Sequence, residues 1–246
     1  MEILISNSQH QQLKAILDKA SSEKIVILCH GFTSNKSRTT YTELAKLLTE
    51  RGISVFRFDF MGHGESYGKI EDMTISQHVK DFQDVLAHVK SLGFTSIGVF
   101  GSSMGGLTAL LGVARSEGIK CIALKAPAAN WKPKLESTLD KSLDEWKESG
   151  FAYYTTGRHG NKTRLNYSLY EDLLTFDTFE EAKDIKCPVL VVVGDEDASV
   201  PVADCEKLSE SIEDCEVIVI ENEDHFLTNT APETRAFMAD WLQKNL

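Results

Sequence analysis

The sequence lacks most devices that hold a chain together without a core. Its five cysteines, Cys29, Cys121, Cys187, Cys205 and Cys215, are odd in number and show no CxxC or Cys/His spacing. A disulfide framework and a zinc site are thereby excluded, and the first three, in or beside apolar runs, act as small hydrophobes. Long apolar stretches are lacking too. Runs such as Val189 to Val193 stop far short of the ~18 residues of a membrane helix, and Met1 to Asn7 lacks the basic start and apolar stretch of a signal peptide. The expectation is a cytoplasmic protein with no membrane partner. Basic charge is scarce: 26 Lys and Arg face 37 Asp and Glu, a formal charge of −11. The densest basic group is the spaced Arg158, Lys162 and Arg164, so the summed field repels phosphate backbones and no nucleic-acid partner is expected. With 5 Pro and 16 Gly in 246 residues, 42% of them hydrophobic, the composition excludes disorder and collagen-like order and fits one globular domain spanning 1–246.

What the sequence does contain is an alternation. Lys24 to Cys29, Ser54 to Asp59, Ser96 to Gly101, Ile119 to Ala126, Pro188 to Val193 and Glu216 to Ile220 read as short, mostly apolar strands, as in a parallel sheet covered on both faces. Between them lie helical spacings such as Tyr41, Leu44, Leu47, Leu48 and His78, Phe82, Val85, Leu86, Val89. Thr74 is placed as an N-cap, and Gly52, Gly93 and Gly118 as residues that follow helices. Glu2 to Asn7 and Gln12 to Leu17 suit an edge hairpin, with a helix over Leu13, Ile16 and Leu17 as the alternative. The rhythm breaks between Trp131 and Lys186. There Lys132 to Ser149 reads as a charged helix with Pro133 in its first turn, Gly150 to Tyr170 as an irregular or hairpin segment, and Glu171 to Ile185 as a further helix. An interruption of this length indicates an inserted cap at about 131–186.

Chemistry concentrates at strand ends. Gly101-Ser102-Ser103-Met104-Gly105-Gly106 lies between a strand and the helical Leu107 to Ala114, and a serine on such a turn has its hydroxyl pushed clear of the backbone. Ser103 sits at the centre of Gly-x-Ser-x-Gly, and Ser102 has the wrong spacing. A serine needs a base, and the base needs a carboxylate to orient it. His225 follows the last strand in a polar loop and is the best placed of seven histidines. His10 lies near the start, His78 and His88 within a helix, His159 in the cap, and His30 and His63 in glycine-flanked turns. Asp195, Glu196 and Asp197 compete for the acid.

Ser, then acid, then His, each after its own strand, resembles the α/β-hydrolase fold, a mostly parallel sheet with helices on both faces, here with a cap. The resemblance implies Asp197, through the family's G-x-x-D-x-x-V-P pattern in Gly194 to Pro201. It implies an oxyanion hole from the N–H groups of Met104 and, in the turn His30-Gly31-Phe32-Thr33, of Phe32. Asp59-Phe60-Met61-Gly62-His63-Gly64-Glu65-Ser66 is similar to the family's architectural D-x-x-G-x-G-x-S turn. Together with Arg57-Phe58, Gly68-Lys69, Met73-Thr74 and Ala126-Pro127-Ala128-Ala129, these residues resemble the small intracellular cinnamoyl (feruloyl) esterases. Those enzymes usually have His before and Gln after the nucleophile, where this chain has Ser102 and Met104. The resemblance implies a serine carboxylesterase for a small-molecule ester with a short or aromatic acyl group, using no metal or organic cofactor. A serine peptidase or thioesterase with the same residues is the alternative, and a non-catalytic small-molecule receptor a further one; a homodimer is left open. Trp131, Trp146, Phe151, Tyr153, Tyr154, Tyr167 and Tyr170 crowd the cap, which is expected to form an apolar wall for a flat acyl group.

Overall fold

In strand β3 (Lys24–Cys29), Ile25, Ile27 and Cys29 enter one apolar core while Val26 and Leu28 enter another, the alternation of a strand covered on both faces. This computed structural model, which describes residues 1–156 and 161–246, places β3 inside an eight-stranded sheet. Its members are β1 (Glu2–Ser6), β2 (Gln12–Asp18), β3, β4 (Ser54–Phe58), β5 (Ser96–Ser102), β6 (Ile119–Lys125), β9 (Val189–Gly194) and β10 (Cys215–Ile220), in the order β1-β2-β4-β3-β5-β6-β9-β10. β1 and β2 form the antiparallel hairpin at one edge, and β2 runs antiparallel to β4. The other pairings are parallel. The helical alternative for 13–17 is not what forms.

Helices α1 (Thr39–Glu50) and α9 (Ala231–Asn245) cover one face through Tyr41, Leu44, Leu48, Met238 and Leu242. On the other face lie α2 (Ile75–Ser91), α3 (Met104–Ala114) and α8 (Val202–Ser211). Helix α3 is buried all round from Met104 to Val113, as a helix apolar on every side must be. Thr74 caps α2 by accepting from the Gln77 N–H. Gly52 and Gly93, at φ +74° and +91°, follow α1 and α2 as expected. Gly118 does not follow a helix directly: α3 ends earlier, at the Arg115 cap, and Gly118 makes the turn into β6.

Between β6 and β9 no strand of the described residues joins the large sheet. This segment holds α4 (Trp131–Thr138), α5 (Leu143–Ser149), the antiparallel pair β7 (Phe151–Thr156) and β8 (Asn161–Asn166), α6 (Ser168–Leu173) and α7 (Thr178–Ala182). The helix expected over 132–149 is therefore two. Leu139 is extended and bridges to Tyr154, and Ser142 with Glu145 forms a capping box that starts a new helix, because a side chain bonded to the backbone at that point favours a terminus over continuation. The helix expected over 171–185 is likewise divided, with Asp177 capping α7 through the Glu180 N–H. Arg158 and His159 lie outside the described residues. Among the described residues no helix is long and apolar enough to cross a membrane.

The registers decide where chemistry can occur. Cys29 faces Gly101, Ser102 faces Lys125, Lys125 faces Val192 and Ile220 faces Gly194. Strands β3, β5, β6, β9 and β10 thus end along one edge, where their following loops meet.

Candidate active site

Ser103 stands between β5 and α3 with φ 54° and ψ −121°, a conformation that costs a non-glycine residue on the order of 1–3 kcal/mol. Its neighbours tolerate nothing larger than hydrogen. A Cβ on Gly105 would lie 2.3 Å from the Cys29 and His30 carbonyl oxygens, and one on Gly101 2.7 Å from the Gly105 oxygen. Close approach of three chain segments thus requires the glycines that flank the serine. The turn is held by the Ser103 N–H, which donates to the Lys125 carbonyl at 3.0 Å, and by the Ser103 carbonyl, which accepts from Gly106, Leu107 and Ala128. Ser102, the rival serine, is buried on β5.

The loops after β9 and β10 bring an imidazole to the hydroxyl. His225 Nε2 lies 3.1 Å from Ser103 Oγ, and its Nδ1 2.7 Å from Asp197 Oδ2. A carboxylate only accepts, so Nδ1 carries the proton and Nε2 is left to accept from the serine. The Asp197 side chain is wholly buried, and its other oxygen accepts from the Ser199 and Val200 N–H groups at 2.7 and 2.9 Å. Asp195 instead accepts from the Glu223 N–H at 3.3 Å, while the Glu196 N–H donates to the Glu223 carbonyl at 3.0 Å. Of the three competing acids, Asp197 meets His225, and the other two tie the acid turn to the histidine loop.

The Met104 N–H opens α3, where no preceding helical carbonyl exists to accept it. Phe32 follows Gly31, whose N–H donates to the Tyr41 hydroxyl at 2.9 Å. Burial pushes the Tyr41 phenol up, and its contacts with Ser34 and Ser102 pull it down. Tyr41 therefore stands as a polar strut from α1 to the Gly31–Phe32 turn and the strand end at Ser102. Helical periodicity marked it only as core. His30 is structural: Nδ1 donates to the Gly31 carbonyl, Nε2 accepts from the Phe60 N–H, and burial, followed by the His63 charge, holds its pKa down at about 3. The turn at Asp59 is architectural, its carboxylate accepting from the Lys36 and Glu65 N–H groups and pairing with the Lys36 ammonium.

A cleft of about 790 Å³ opens over Ser103 and His225, walled by Phe32, Trp131 and Tyr154, a volume within the range of small-molecule sites. Trp131 and Tyr154 meet the Phe32 ring edge-on at centroid distances of 5.6 and 5.5 Å. Of the seven rings between 131 and 170, these two face the cleft. Trp146 is fully buried and donates to the Leu165 carbonyl, packing against Tyr167 and Tyr170. Phe151 lies under the Lys141 and Arg164 cations, and Tyr153 is exposed. The aromatic wall thus needs Phe32, from a core loop, as much as the inserted segment.

Known proteins share this architecture. Est1E from Butyrivibrio proteoclasticus with ferulic acid bound superposes with a TM-score of 0.88 at 24% identity, covering 99% of this chain and 98% of that one. Among curated proteins, the mitochondrial palmitoyl-protein thioesterase ABHD10 of Bos taurus is 24% identical over 211 residues, 84% of this chain and 68% of its own. Human monoglyceride lipase is 37% identical over 98 residues, 38% of this chain and 31% of the lipase. The family model described as "Serine aminopeptidase, S33" (Hydrolase_4) matches residues 20–159. With the match spanning more than half its length and the sheet order that goes with it, the chain belongs to this family of α/β-hydrolases.

Proposed function

We propose that the protein is a serine carboxylesterase acting on small esters with a short or aromatic acyl group. The observation that carries the reading is the hydrogen-bonded chain from Ser103 Oγ through His225 to Asp197 at the floor of an aromatic-walled cleft. Ser103 Oγ attacks the ester carbonyl as His225 Nε2 takes its proton. Asp197 holds the imidazole and stabilises the imidazolium, and the Phe32 and Met104 N–H groups bind the oxyanion. His225 then returns the proton to the departing alcohol. A water, deprotonated by the same imidazole, attacks the acyl-enzyme and releases the acid. Residues 131–186 act as a cap: Lys134 on α4 donates to the Ala198 carbonyl at 3.1 Å, and Asn166, the last residue of β8, donates to Asp72 at 2.7 Å, so the segment is fastened to the loop after β9 and to the turn before α2.

Ferulic acid bound to Est1E, which has the same fold, and the name of the monoglyceride lipase agree with an ester cleft of this kind. The thioesterase relative, which aligns over most of the chain, supports a second reading, thioester hydrolysis by the same residues. Turnover of p-nitrophenyl esters of increasing acyl length, an acyl thioester and aminoacyl p-nitroanilides by the purified protein separates them. The ester reading expects kcat/KM highest for short or aromatic acyl esters; a preference for thioester or anilide would replace it.

A further inference from the structure

Lys125, the last residue of β6, touches both halves of the proposed relay. Its carbonyl accepts from the Ser103 N–H at 3.0 Å, and its ammonium donates to the His225 carbonyl at 3.0 Å. Its backbone is held by two ladders, opposite Ser102 of β5 on one side and Val192 of β9 on the other, so the side chain leaves from a fixed point. Lys125 lines the cleft and is half-buried where its ammonium meets the His225 carbonyl. Burial pushes it down to about 8; Asp197 and Asp224 pull it up, Arg235 on α9 pushes it down and Glu223 pulls it up. Withdrawing a cation from water is costly unless it is paired and hydrogen-bonded. None of the hydrolytic steps above uses this one.

We propose that Lys125 is a positioning residue for the reaction, joining the nucleophile turn to the histidine loop so that His225 Nε2 stays within reach of Ser103 Oγ, and that its positive charge sets the alkaline limit of activity. The proposal rests on the hydrolase reading of the same site. A hydrogen bond from an ammonium is about twice as strong as one from a neutral amine, so loss of the proton at high pH slackens the tie to the histidine loop and turnover falls. The groups facing the ammonium are Asp197 in the loop after β9, Glu223, Asp224 and His225 in the loop after β10, and Arg235 on α9. Their charges make the limit a property of this cluster.

The test is kcat and KM against pH from 6 to 10 for wild type, Lys125→Met and Lys125→Arg, with circular dichroism to check folding. Lys125→Met matches the length of the stem and removes donor and charge. It is expected to lower kcat about tenfold or more with KM within about twofold, and to lose the wild-type decline above pH ~8. Lys125→Arg keeps a charge that does not titrate in this range, so it should retain most of kcat and hold it to pH 10. A Lys125→Met protein with wild-type kcat and an unchanged alkaline limb would overturn the proposal. Should Lys125→Met fail to fold, an alkaline limb unchanged in Lys125→Arg does the same. Wild type that turns over normally while the variants match it refutes this inference alone; wild type that neither turns over nor reacts at Ser103 with a fluorophosphonate refutes the hydrolase reading beneath it.

Discussion

Asp195 and Asp197 belong to one turn, yet the fold gives them different partners. Asp197 holds the His225 ring and is itself held by two backbone N–H groups, whereas the Asp195 carboxylate accepts from the Glu223 N–H. Asp197→Asn should therefore lower kcat by about 10⁴ by favouring the wrong imidazole tautomer. Asp195→Asn should change it less than tenfold; steady-state kinetics of the two proteins decide, and the reverse order would move the acid. Tyr41→Phe deletes one oxygen and leaves the Gly31 N–H, now buried, without its acceptor, which costs on the order of 1–3 kcal/mol of stability. Because that N–H anchors the turn bearing Phe32, kcat should also drop about tenfold at constant KM, and an unchanged kcat would separate Tyr41 from the oxyanion turn. Ser103 and His225 were legible in the sequence because each follows a strand, Ser103 in a Gly-x-Ser-x-Gly turn and His225 in a polar loop, whereas Asp197 was separated from Asp195 and Glu196 only by the pattern that the family resemblance implies. Tyr41 and Lys125 were not: a tyrosine on an apolar helix face and a lysine at a strand's end look like core and solvent, and only the three-dimensional meeting of loops gives their polar atoms partners.

At the scale of elements, the sheet and its covering helices could be read from strand alternation and glycine-terminated helices, since these patterns report burial directly. The inserted segment was less legible. Its helices break where Ser142 and Asp177 bond to the backbone ahead of them, and charged, short-period sequences conceal such breaks until capping is considered. Aromatic crowding marked the segment correctly as ring-rich without telling which rings face the cleft. Trp131→Ala should widen the wall beside Ser103 and alter the ranking of p-nitrophenyl esters, lowering kcat/KM for a cinnamoyl ester more than for acetate. Tyr153→Ala, at an exposed ring, should leave the ranking as it is. Equal effects of the two substitutions would show that the wall does not select the acyl group.

The whole molecule carries a pH dependence of stability that is separate from its chemistry. His30, His63 and His78 form a buried cluster with ring centroids 5.1 and 5.5 Å apart about His63. His63 Nδ1 and His78 Nε2 both donate to the Met61 carbonyl, and the other nitrogen of each meets no partner among the described residues, which suits neutral rings. Burial lowers all three pKa values, to about 3 for His30. The unfolded chain takes up protons below pH ~6.5 while the folded one does not, so stability falls as pH drops through that value. At pH 5 this amounts to roughly 2 kcal/mol for His30, and His63 and His78 act in the same direction. Asp81, raised to about 6 by burial, acts in the opposite sense and offsets about 1 kcal/mol at pH 5. Urea denaturation at pH 7.5 and 5 should show a net loss, and His78→Gln should reduce the dependence by about one proton; a flat profile would contradict the neutral cluster.

In the proposed reaction Ser103, activated by His225 and Asp197, is the nucleophile. The most direct test of that role is reaction of the folded protein with a fluorophosphonate, followed by mass spectrometry of the labelled peptide. One adduct per chain is expected on Ser103, absent in Ser103→Ala and retained in Ser102→Ala. An adduct on Ser102 or elsewhere, or none at all, would contradict it.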